Sequence, residues 1–234
     1  MTEIIIPVKE LSCAKQRLMG VLSAAERTEL VLAMLQDLLT AVAEADCGPA
    51  LVVASNDAVF DIARKFAARP VREHDVRGYN AAVSLGFAEA RGGNVAVLPA
   101  DIPLAAAAEI RCLCAPAAAD SRRIRLAASL DRMGTNGLFL ASPGLILPGF
   151  GLNSFSRYRR VARAAGIEPT LIDAPGLACD IDTPHDLLEL TRYRMPGATF
   201  AFLQGVQDRL KHSSYDRERH ELYHQYREQG AAVI

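Results

Sequence analysis

The chain has 234 residues, half of them hydrophobic and 23% charged, and its formal net charge is −1. This length suits one sizeable α/β core, or one domain with an appendage. A nucleic-acid coat or a polybasic membrane anchor needs a concentrated positive field, which this balance of acids and bases lacks. We therefore expect neither a nucleic-acid nor a membrane partner, although a few local cations can still hold a small anionic substrate.

The sequence also gives no indication of a membrane-spanning helix, a signal peptide or a disulfide framework. No apolar run reaches the roughly 18 residues of a spanning helix, and the N-terminal "TEIIIPVKE" lacks the pattern of a signal peptide. The cysteines are odd in number and scattered, unlike a disulfide framework or a zinc site; they are Cys13, Cys47, Cys112, Cys114 and Cys179. We expect a cytoplasmic protein with reduced cysteines.

Strand and helix patterns alternate through the first half of the chain. The predicted strands are "EIIIPV", "ALVVAS", a short one near Val71, and "NVAVLPAD". The helix that follows the first strand opens with a capping box from Ser23 to Glu26. Further helices are predicted from about Asp57 to Ala68, over "NAAVSLGFAEA", and from about Ala105. Strands this apolar have no wet face, so the order indicates a mainly parallel sheet covered on both sides, with ligands at the carboxyl ends of its strands.

The second half continues this pattern and then changes. "IRLAASL" and "NGLFLAS" are predicted strands joined through the turn "DRMGT", followed by a helix over "SFSRYRRVARAAG" and a strand over "EPTLIDA". The next predicted helix has Thr183 as N-cap and Pro184 in its first turn. We predict one domain over residues 1–190. Residues 191–234 are predicted to form an appended helical arm, rich in aromatic and charged residues from about 199 to 228, that packs on its own domain or on a second subunit as a homodimer.

Two acidic segments follow predicted strands. Asp101 lies in "LPADIP", and Asp180 and Asp182 lie in "DIDTP". Carboxylates spaced i, i+2 point the same way in extended chain, and oxygen-rich sites of this kind suit Mg²⁺. The alternative is that Asp182 merely caps the helix at Pro184 and that Asp180 is solvated. Together in an α/β sheet, the two segments favour a metal site.

The loop after the first strand is basic. "PVKELSCAKQRL" contains Lys9, Lys15 and Arg17, and loops at this position commonly hold nucleotide phosphates. Here basic side chains take the place of the usual glycines. The alternative is an ordinary exposed loop of solvated cations.

A third group of candidates lies before the helix "SFSRYRR". "MGTNG" offers a tight turn with the Thr135 hydroxyl, and "GFGLNSFSRYRR" places Gly151 and Ser154 at a helix N-terminus, where free N–H groups attract anions. Arg157 lies one turn further. A phosphate or carboxylate suits this place, although Ser154 as a simple N-cap is equally compatible with the residues. The sequence contains no nucleophile motif.

With these pieces in order, the chain resembles the 2-phospho-L-lactate guanylyltransferase family. The resemblance rests on "PVKELSCAKQRL", "LSAAERTELVLAML", "GYNAAV", "LPADIP", "GTNGL", "FGLNSFSRY" and "DIDTPHDL", over residues 4 to 190. It implies a nucleotidyltransferase fold, the Rossmann-like fold of the nucleotide-diphospho-sugar transferases. It also implies an enzyme of coenzyme F-420 biosynthesis that joins GTP to phosphoenolpyruvate, 2-phospho-L-lactate or 3-phospho-D-glycerate and releases pyrophosphate.

The resemblance also implies residue roles. The phosphorylated acid is expected at Thr135, Gly151, Ser154 and Arg157. Mg²⁺ is expected at Asp101, Asp180 and Asp182. The nucleotide is expected at Pro7, Lys9, Lys15, Arg17 and Asn80, and the catalytic groups are expected to be Lys9, Lys15, Arg17 and Asp101.

Two positions depart from the family pattern, and three rival functions remain. Tyr79 replaces a common leucine and is expected to reshape the nucleoside pocket, while Tyr158 replaces a frequent histidine and is expected to alter the choice of acid. The rivals are a molybdenum-cofactor nucleotidyltransferase, whose first loop is usually rich in glycine, a nucleotide-sugar glycosyltransferase, and a non-catalytic nucleotide-binding scaffold. Residues alone do not select the acid, and the preference for guanine comes from the resemblance.

Overall fold

A seven-stranded sheet runs through the computed structural model, which describes residues 1–115, 123–193 and 196–212. In chain order its strands are β1 (Thr2–Pro7), β2 (Ala50–Ala54), β3 (Arg69–Arg72), β4 (Asn94–Val97), β5 (Ile124–Ala128), β6 (Thr135–Leu140) and β7 (Thr170–Leu171). The strand order across the sheet is β3-β2-β1-β4-β6-β5-β7. Of these strands, only β6 runs against its neighbours β4 and β5, so the predicted mainly parallel α/β sheet is confirmed.

Helices cover both faces of this sheet. They are α1 (Ala24–Ala45), α2 (Asp57–Lys65), α3 (Tyr79–Glu89), α4 (Ala107–Cys114), α5 (Ser154–Ala164), α6 (Pro175–Ala178), α7 (Pro184–Leu190) and α8 (Ala198–His212). The predicted capping box of α1 is present, since the Glu26 amide donates to Ser23 Oγ at 3.3 Å and the Ser23 amide donates to Glu26 Oε2 at 2.8 Å.

Strand β1 shows why the sheet is buried on both sides. Ile4 and Ile6 pack into one hydrophobic cluster with α1, α2 and α4, whereas Ile5 packs into a second cluster with α3 and α5. Alternate side chains of a strand point to opposite faces, so an unbroken run of isoleucines requires a helix layer on each side. The fit is close on the α3 face, because a Cβ at Gly86 would overlap the Ile5 side chain.

The antiparallel strand β6 brings a new set of residues to the ligand-binding edge. Its register pairs Val97 of β4 with Leu138, so the N-terminal residues of β6 lie beyond the carboxyl end of β4. The turn before β6 is fixed by Ser129 Oγ, which accepts from the Gly134 amide at 2.7 Å and donates to Asp131 Oδ1 at 2.6 Å. The start of β6 therefore shares an edge with the ends of β1 and β4.

Two predicted strands extend well beyond the observed ones. "NVAVLPAD" was expected to run to Asp101, but β4 ends at Val97. The Leu98 amide still donates to the Ile5 carbonyl at 3.0 Å, and Pro99 then ends the ladder because proline has no N–H. "EPTLIDA" was likewise expected to be a full strand, but β7 is two residues at the sheet margin. Asp101 therefore lies in the turn after its strand.

The described part of the C-terminal arm folds onto its own domain. Helix α8 packs beside α1, and Asp37 of α1 accepts hydrogen bonds from the amides of Ala198 at 2.7 Å and Thr199 at 2.9 Å. Arg209 of α8 forms an ion pair with Glu26 of α1. The predicted continuation of this helix to about residue 228 lies outside the described residues, and a dimer through the arm stays a prediction.

Membrane-spanning helices were sought over the same described ranges. None of their helices combines the length and the hydropathy that crossing a bilayer requires.

Candidate active site

A cleft of about 760 Å³ opens at the edge of the sheet where β1 and β4 end and β6 begins. Of the predicted site residues, ten line it: Pro7, Lys9, Lys15, Arg17, Asp101, Thr135, Gly151, Ser154, Asp180 and Asp182. Arg157 and Asn80 are not among its lining residues. The topology thus brings together the acidic segments, the basic loop and the helix N-terminus of α5, although they are far apart in sequence.

Lys15 links the two acidic segments. Its Nζ lies 2.6 Å from Asp101 Oδ2 and 2.8 Å from Asp182 Oδ1, and its side chain is only 7% exposed. The residue adopts a left-handed conformation with φ of 50°, between the short 3-10 turns Leu11–Cys13 and Gln16–Leu18. Lys15 is therefore part of a buried ion pair, and the alternative of a solvated loop cation is wrong for this residue.

The other cations of the loop are more open. Lys9 is exposed, and Arg17, whose side chain is 75% exposed, has Nη1 at 3.9 Å from Asp182 Oδ2. Both nevertheless line the cleft. The loop therefore offers two exposed positive charges beside one buried charge, an arrangement suited to a polyanionic ligand.

The charges of this cluster are strongly coupled. Burial works against the charged form of Lys15, but Asp101 and Asp182 outweigh it and raise the lysine pKa. Burial likewise acts to raise the pKa of Asp182, but the positive charges of Lys15, Lys9 and Arg17 and the Lys15 hydrogen bond lower it overall. Lys15 and Asp182 thus stay ionised together near neutral pH.

Asp180 lies in a different electrostatic environment. Burial, together with the negative charges of Asp101 and Asp182, raises its pKa to about 6, although Asn136 partly counters this. Asn136 Nδ2 donates to Asp180 Oδ1 at 3.0 Å and to the Ala178 carbonyl at 3.2 Å. Sequence reasoning missed Asn136 as a positioning residue; its signal was its place beside Thr135 in "GTNGL", at the start of a strand.

The capping alternative for Asp182 is answered by its neighbours. Thr183 is the N-cap of α7, as predicted, and its hydroxyl accepts from the Asp186 amide at 3.3 Å. Asp186 Oδ2 in turn accepts from the Thr183 amide at 2.7 Å. The cap is thus supplied by Thr183 and Asp186, which leaves the Asp182 carboxylate to face Lys15. In addition, the Ile181 amide donates to the Asp101 carbonyl at 3.0 Å and ties the two acidic segments together.

Thr135 and Ser154 form the opposite wall. Ser154 Oγ donates to Thr135 Oγ1 at 3.1 Å, and both residues are buried. The N-cap of α5 is Asn153, which makes no capping bond with its side chain, so Ser154 is not the N-cap. Gly151 precedes it with φ of 118°, a conformation that favours glycine. Thr135, Gly151 and Ser154 at the start of α5 therefore border the same cleft.

Three aromatic rings packed edge to face support the loop 149–151 in this wall. Tyr79 packs edge-on against Phe150 with 5.2 Å between ring centroids, and Phe150 packs similarly against Tyr158 at 5.3 Å. Tyr158 Oη accepts from the Gly149 amide at 2.7 Å. Asn80 Oδ1 accepts from the Phe150 amide at 2.7 Å, and Asn80 Nδ2 donates to its carbonyl at 3.0 Å. Asn80 therefore anchors this loop, while its expected contact with the nucleoside stays a proposal.

Arg157 contacts the loop 149–151 through Gly149. Its guanidinium packs under Gly149, where an added Cβ would lie 3.0 Å from Nε. Its Nε and one Nη are buried and have no hydrogen-bond partner among the described residues. The expected contact of Arg157 with the acid stays a proposal.

The three aspartates at the cleft are of the residue type that binds magnesium ions. Asp101, Asp180 and Asp182 supply only carboxylate oxygens, the hard donors that Mg²⁺ combines with water and substrate phosphates. Asp101 and Asp182 already share one cation, the Lys15 ammonium. A cluster of three or more side chains placed to hold a metal ion is not found in the described ranges, and the Mg²⁺ site stays a proposal.

Solved structures of other proteins share this fold. A putative nucleotide-diphospho-sugar transferase from Desulfovibrio desulfuricans matches with a TM-score of 0.67 at 18% identity, over 92% of this chain and all of that one. A nucleotidyl transferase from Methanothermobacter thermautotrophicus matches with a TM-score of 0.62 at 17% identity, over 88% of this chain and 99% of that one. At these identities the likeness establishes the fold, as predicted.

Sequence relatives identify the family. The family described as "Guanylyl transferase CofC like" matches residues 2–224, beyond the predicted boundary at residue 190. The phosphoenolpyruvate guanylyltransferase of Sphaerobacter thermophilus is 39% identical over 83% of this chain and 95% of its own length. The 3-phospho-D-glycerate guanylyltransferase of Phenylobacterium zucineum is 36% identical over 90% of this chain and 99% of its own length. The chain belongs to the CofC-like guanylyltransferase family, which confirms the predicted enzyme class.

Proposed function

We propose that this protein transfers the guanylyl group of GTP to a small phosphorylated acid, with Mg²⁺, and releases pyrophosphate in coenzyme F-420 biosynthesis. The observation that carries the proposal is the pairing of two walls in one cleft. One wall holds Lys15 between Asp101 and Asp182, and the other joins Ser154 to Thr135 at the start of α5. Relatives named for phosphoenolpyruvate and for 3-phospho-D-glycerate support this class of acid.

In the proposed reaction, a phosphate oxygen of the acid attacks the α-phosphorus of GTP. A new phosphorus–oxygen bond forms as the bond between the α-phosphorus and its bridging oxygen to the β-phosphorus breaks, and that oxygen leaves with pyrophosphate. A phosphate is already nucleophilic near neutral pH, so the reaction needs no side-chain nucleophile. Catalysis then consists of aligning two anions and neutralising their charge.

The residues of the cleft divide this work. Thr135, Gly151 and Ser154 bind and orient the acid through hydroxyls and backbone N–H groups. Lys9 and Arg17, which are exposed at the cleft, attract the triphosphate, and Lys15 stabilises the leaving pyrophosphate. Asp101, Asp180 and Asp182 would hold Mg²⁺, which when bound supplies charge neutralisation at the phosphates.

The test is a pyrophosphate-release assay. Purified protein is incubated with Mg²⁺, GTP and one acid at a time (phosphoenolpyruvate, 2-phospho-L-lactate or 3-phospho-D-glycerate), with ATP and CTP as nucleotide controls. Pyrophosphate release that requires both GTP and an acid supports the proposal. Omitting Mg²⁺ tests whether the reaction requires the metal ion. No release with any acid from folded protein refutes it.

A further inference from the structure

The ammonium of Lys15 occupies the space between two of the carboxylates to which we assign Mg²⁺. Its Nζ lies 2.6 Å from Asp101 Oδ2 and 2.8 Å from Asp182 Oδ1, so both carboxylates already have a cationic partner. A metal ion bound to either of these two oxygens would lie within about 5 Å of Nζ. Two cations this close repel each other strongly where water reaches only part of the site. A divalent ion at these oxygens therefore competes with Lys15.

The backbone holds Lys15 in this place. The Leu18 amide donates to the Lys15 carbonyl at 2.9 Å, and the buried Arg27 of α1 donates from Nε to the Ala14 carbonyl at 3.3 Å. Leu11 and Leu18, on either side in the chain, are buried in the core. With the backbone anchored at these points, the ammonium can leave the carboxylates by a change of side-chain rotamer alone.

A polyanion in the same cleft would remove the competition. Lys9 and Arg17 line the cleft with exposed charges, which attract a group with several negative charges. The oxygens of a triphosphate accept hydrogen bonds from an ammonium and also coordinate a divalent ion. A metal ion that arrives with a triphosphate thus brings a new partner for Lys15, whereas a metal ion alone does not.

We propose, on the basis of the guanylyltransferase function above, that Lys15 determines the form in which the metal is bound. Its ammonium excludes a divalent ion from Asp101 and Asp182 until a nucleoside triphosphate enters with that ion. The ammonium then turns to the phosphates and frees the two carboxylates for the metal. Lys15 is thus a determinant of metal binding as well as a phosphate-binding group.

The first experiment measures the binding of Mn²⁺ alone, without nucleotide or acid, from the EPR signal of the free ion. Mn²⁺ prefers the same oxygen donors as Mg²⁺. We expect weak binding by the wild type, and binding tighter by about tenfold or more in Lys15→Met, which removes the charge. Lys9→Met is the matched control: Lys9 is exposed in the same loop, so its removal should change the affinity by about twofold or less. All titrations run well below the Tm of each variant, with circular dichroism to show that it is folded.

Two further variants separate the charge of Lys15 from its place in the structure. Lys15→Arg keeps a positive charge that can span two carboxylates, so its Mn²⁺ affinity should stay as weak as that of the wild type. Adding Asp101→Asn to Lys15→Met removes one carboxylate and should reverse the increase in affinity. A change of packing alone would not give this pattern, and the reversal places the additional Mn²⁺ beside Asp101.

The outcomes separate this inference from the function on which it rests. Equal Mn²⁺ affinities of the wild type and Lys15→Met, or tight binding by Lys15→Arg, overturn the role of Lys15 in metal binding, while guanylyl transfer stands if the wild type releases pyrophosphate. Failure of folded wild type to release pyrophosphate with any acid overturns the proposed function, whatever the Mn²⁺ titrations show. Water proton relaxation completes the test: the wild type should bind Mn²⁺ together with GTP, and failure to do so would contradict the inference.

Discussion

Replacing Lys15 with methionine should destabilise the protein before any substrate is added. The lysine side chain is 7% exposed, and its partners Asp101 and Asp182 are 23% and 42% exposed. Removing one partner of a fully buried pair costs about 3–5 kcal/mol, and an exposed pair contributes below about 1 kcal/mol. The partly exposed carboxylates place this change between those limits, at about 1–3 kcal/mol. For a chain of this size that lowers Tm by about 2–12 °C.

The assay is thermal unfolding in the presence of a chelator, with Lys9→Met as the matched control. Lys9 lies in the same loop and is exposed, so its removal should leave Tm nearly unchanged. The loss in Lys15→Met should also depend on pH. The pKa of Asp182 is lowered in the folded protein, so the stability it gains from Lys15 is present above its ordinary pKa and is lost as pH falls through the lowered value. Equal Tm values for the two variants at pH 7 would refute the buried ion pair.

Three further changes test other parts of the structure. Asp180→Asn should stabilise the protein by about 1–3 kcal/mol at pH 8 and little at pH 4, because the pKa of Asp180 is raised to about 6 and its charged form is disfavoured above that pH; a loss of stability at pH 8 in urea unfolding would contradict this. Asp37→Ala removes the acceptor for two amides at the start of α8 and should cost about 1–2 kcal/mol, with faster hydrogen exchange in residues 198–212; unchanged exchange there would argue against the capping role. Asn80→Ala frees the Phe150 backbone and should raise KM for the acid several-fold more than KM for GTP, whereas the reverse order would favour a nucleoside contact.

The sequence predicts the elements of this fold well because its local signals are strong. Ser23 and Glu26 mark the start of α1 through a capping box, and the isoleucines of β1 indicate burial on both faces. The strand ends were less certain, since apolar character continues past Val97 and only the missing N–H of Pro99 ends the ladder. The antiparallel direction of β6 is a tertiary property that periodicity does not encode.

The sequence predicted which segments form the candidate site, but not how their side chains contact one another. The carboxyl-edge rule for parallel sheets brought Asp101 and Asp182 together correctly. The left-handed turn that buries Lys15 has no signal in a loop without glycine, so the residues of the loop alone favoured a solvated lysine. Asn136 was missed as a site residue because its role depends on Asp180, which it meets only in three dimensions.

The central claim is that a phosphate oxygen of the acid attacks the α-phosphorus of GTP. Phosphorus NMR of the reaction with Mg²⁺, GTP and the preferred acid tests it directly, with Asp101→Asn as a folded control expected to be slower by roughly 100-fold or more. We predict two products in equal amounts: pyrophosphate, and a diphosphate that joins guanosine to the acid. Formation of GDP and inorganic phosphate, with the acid unchanged, would contradict the claim.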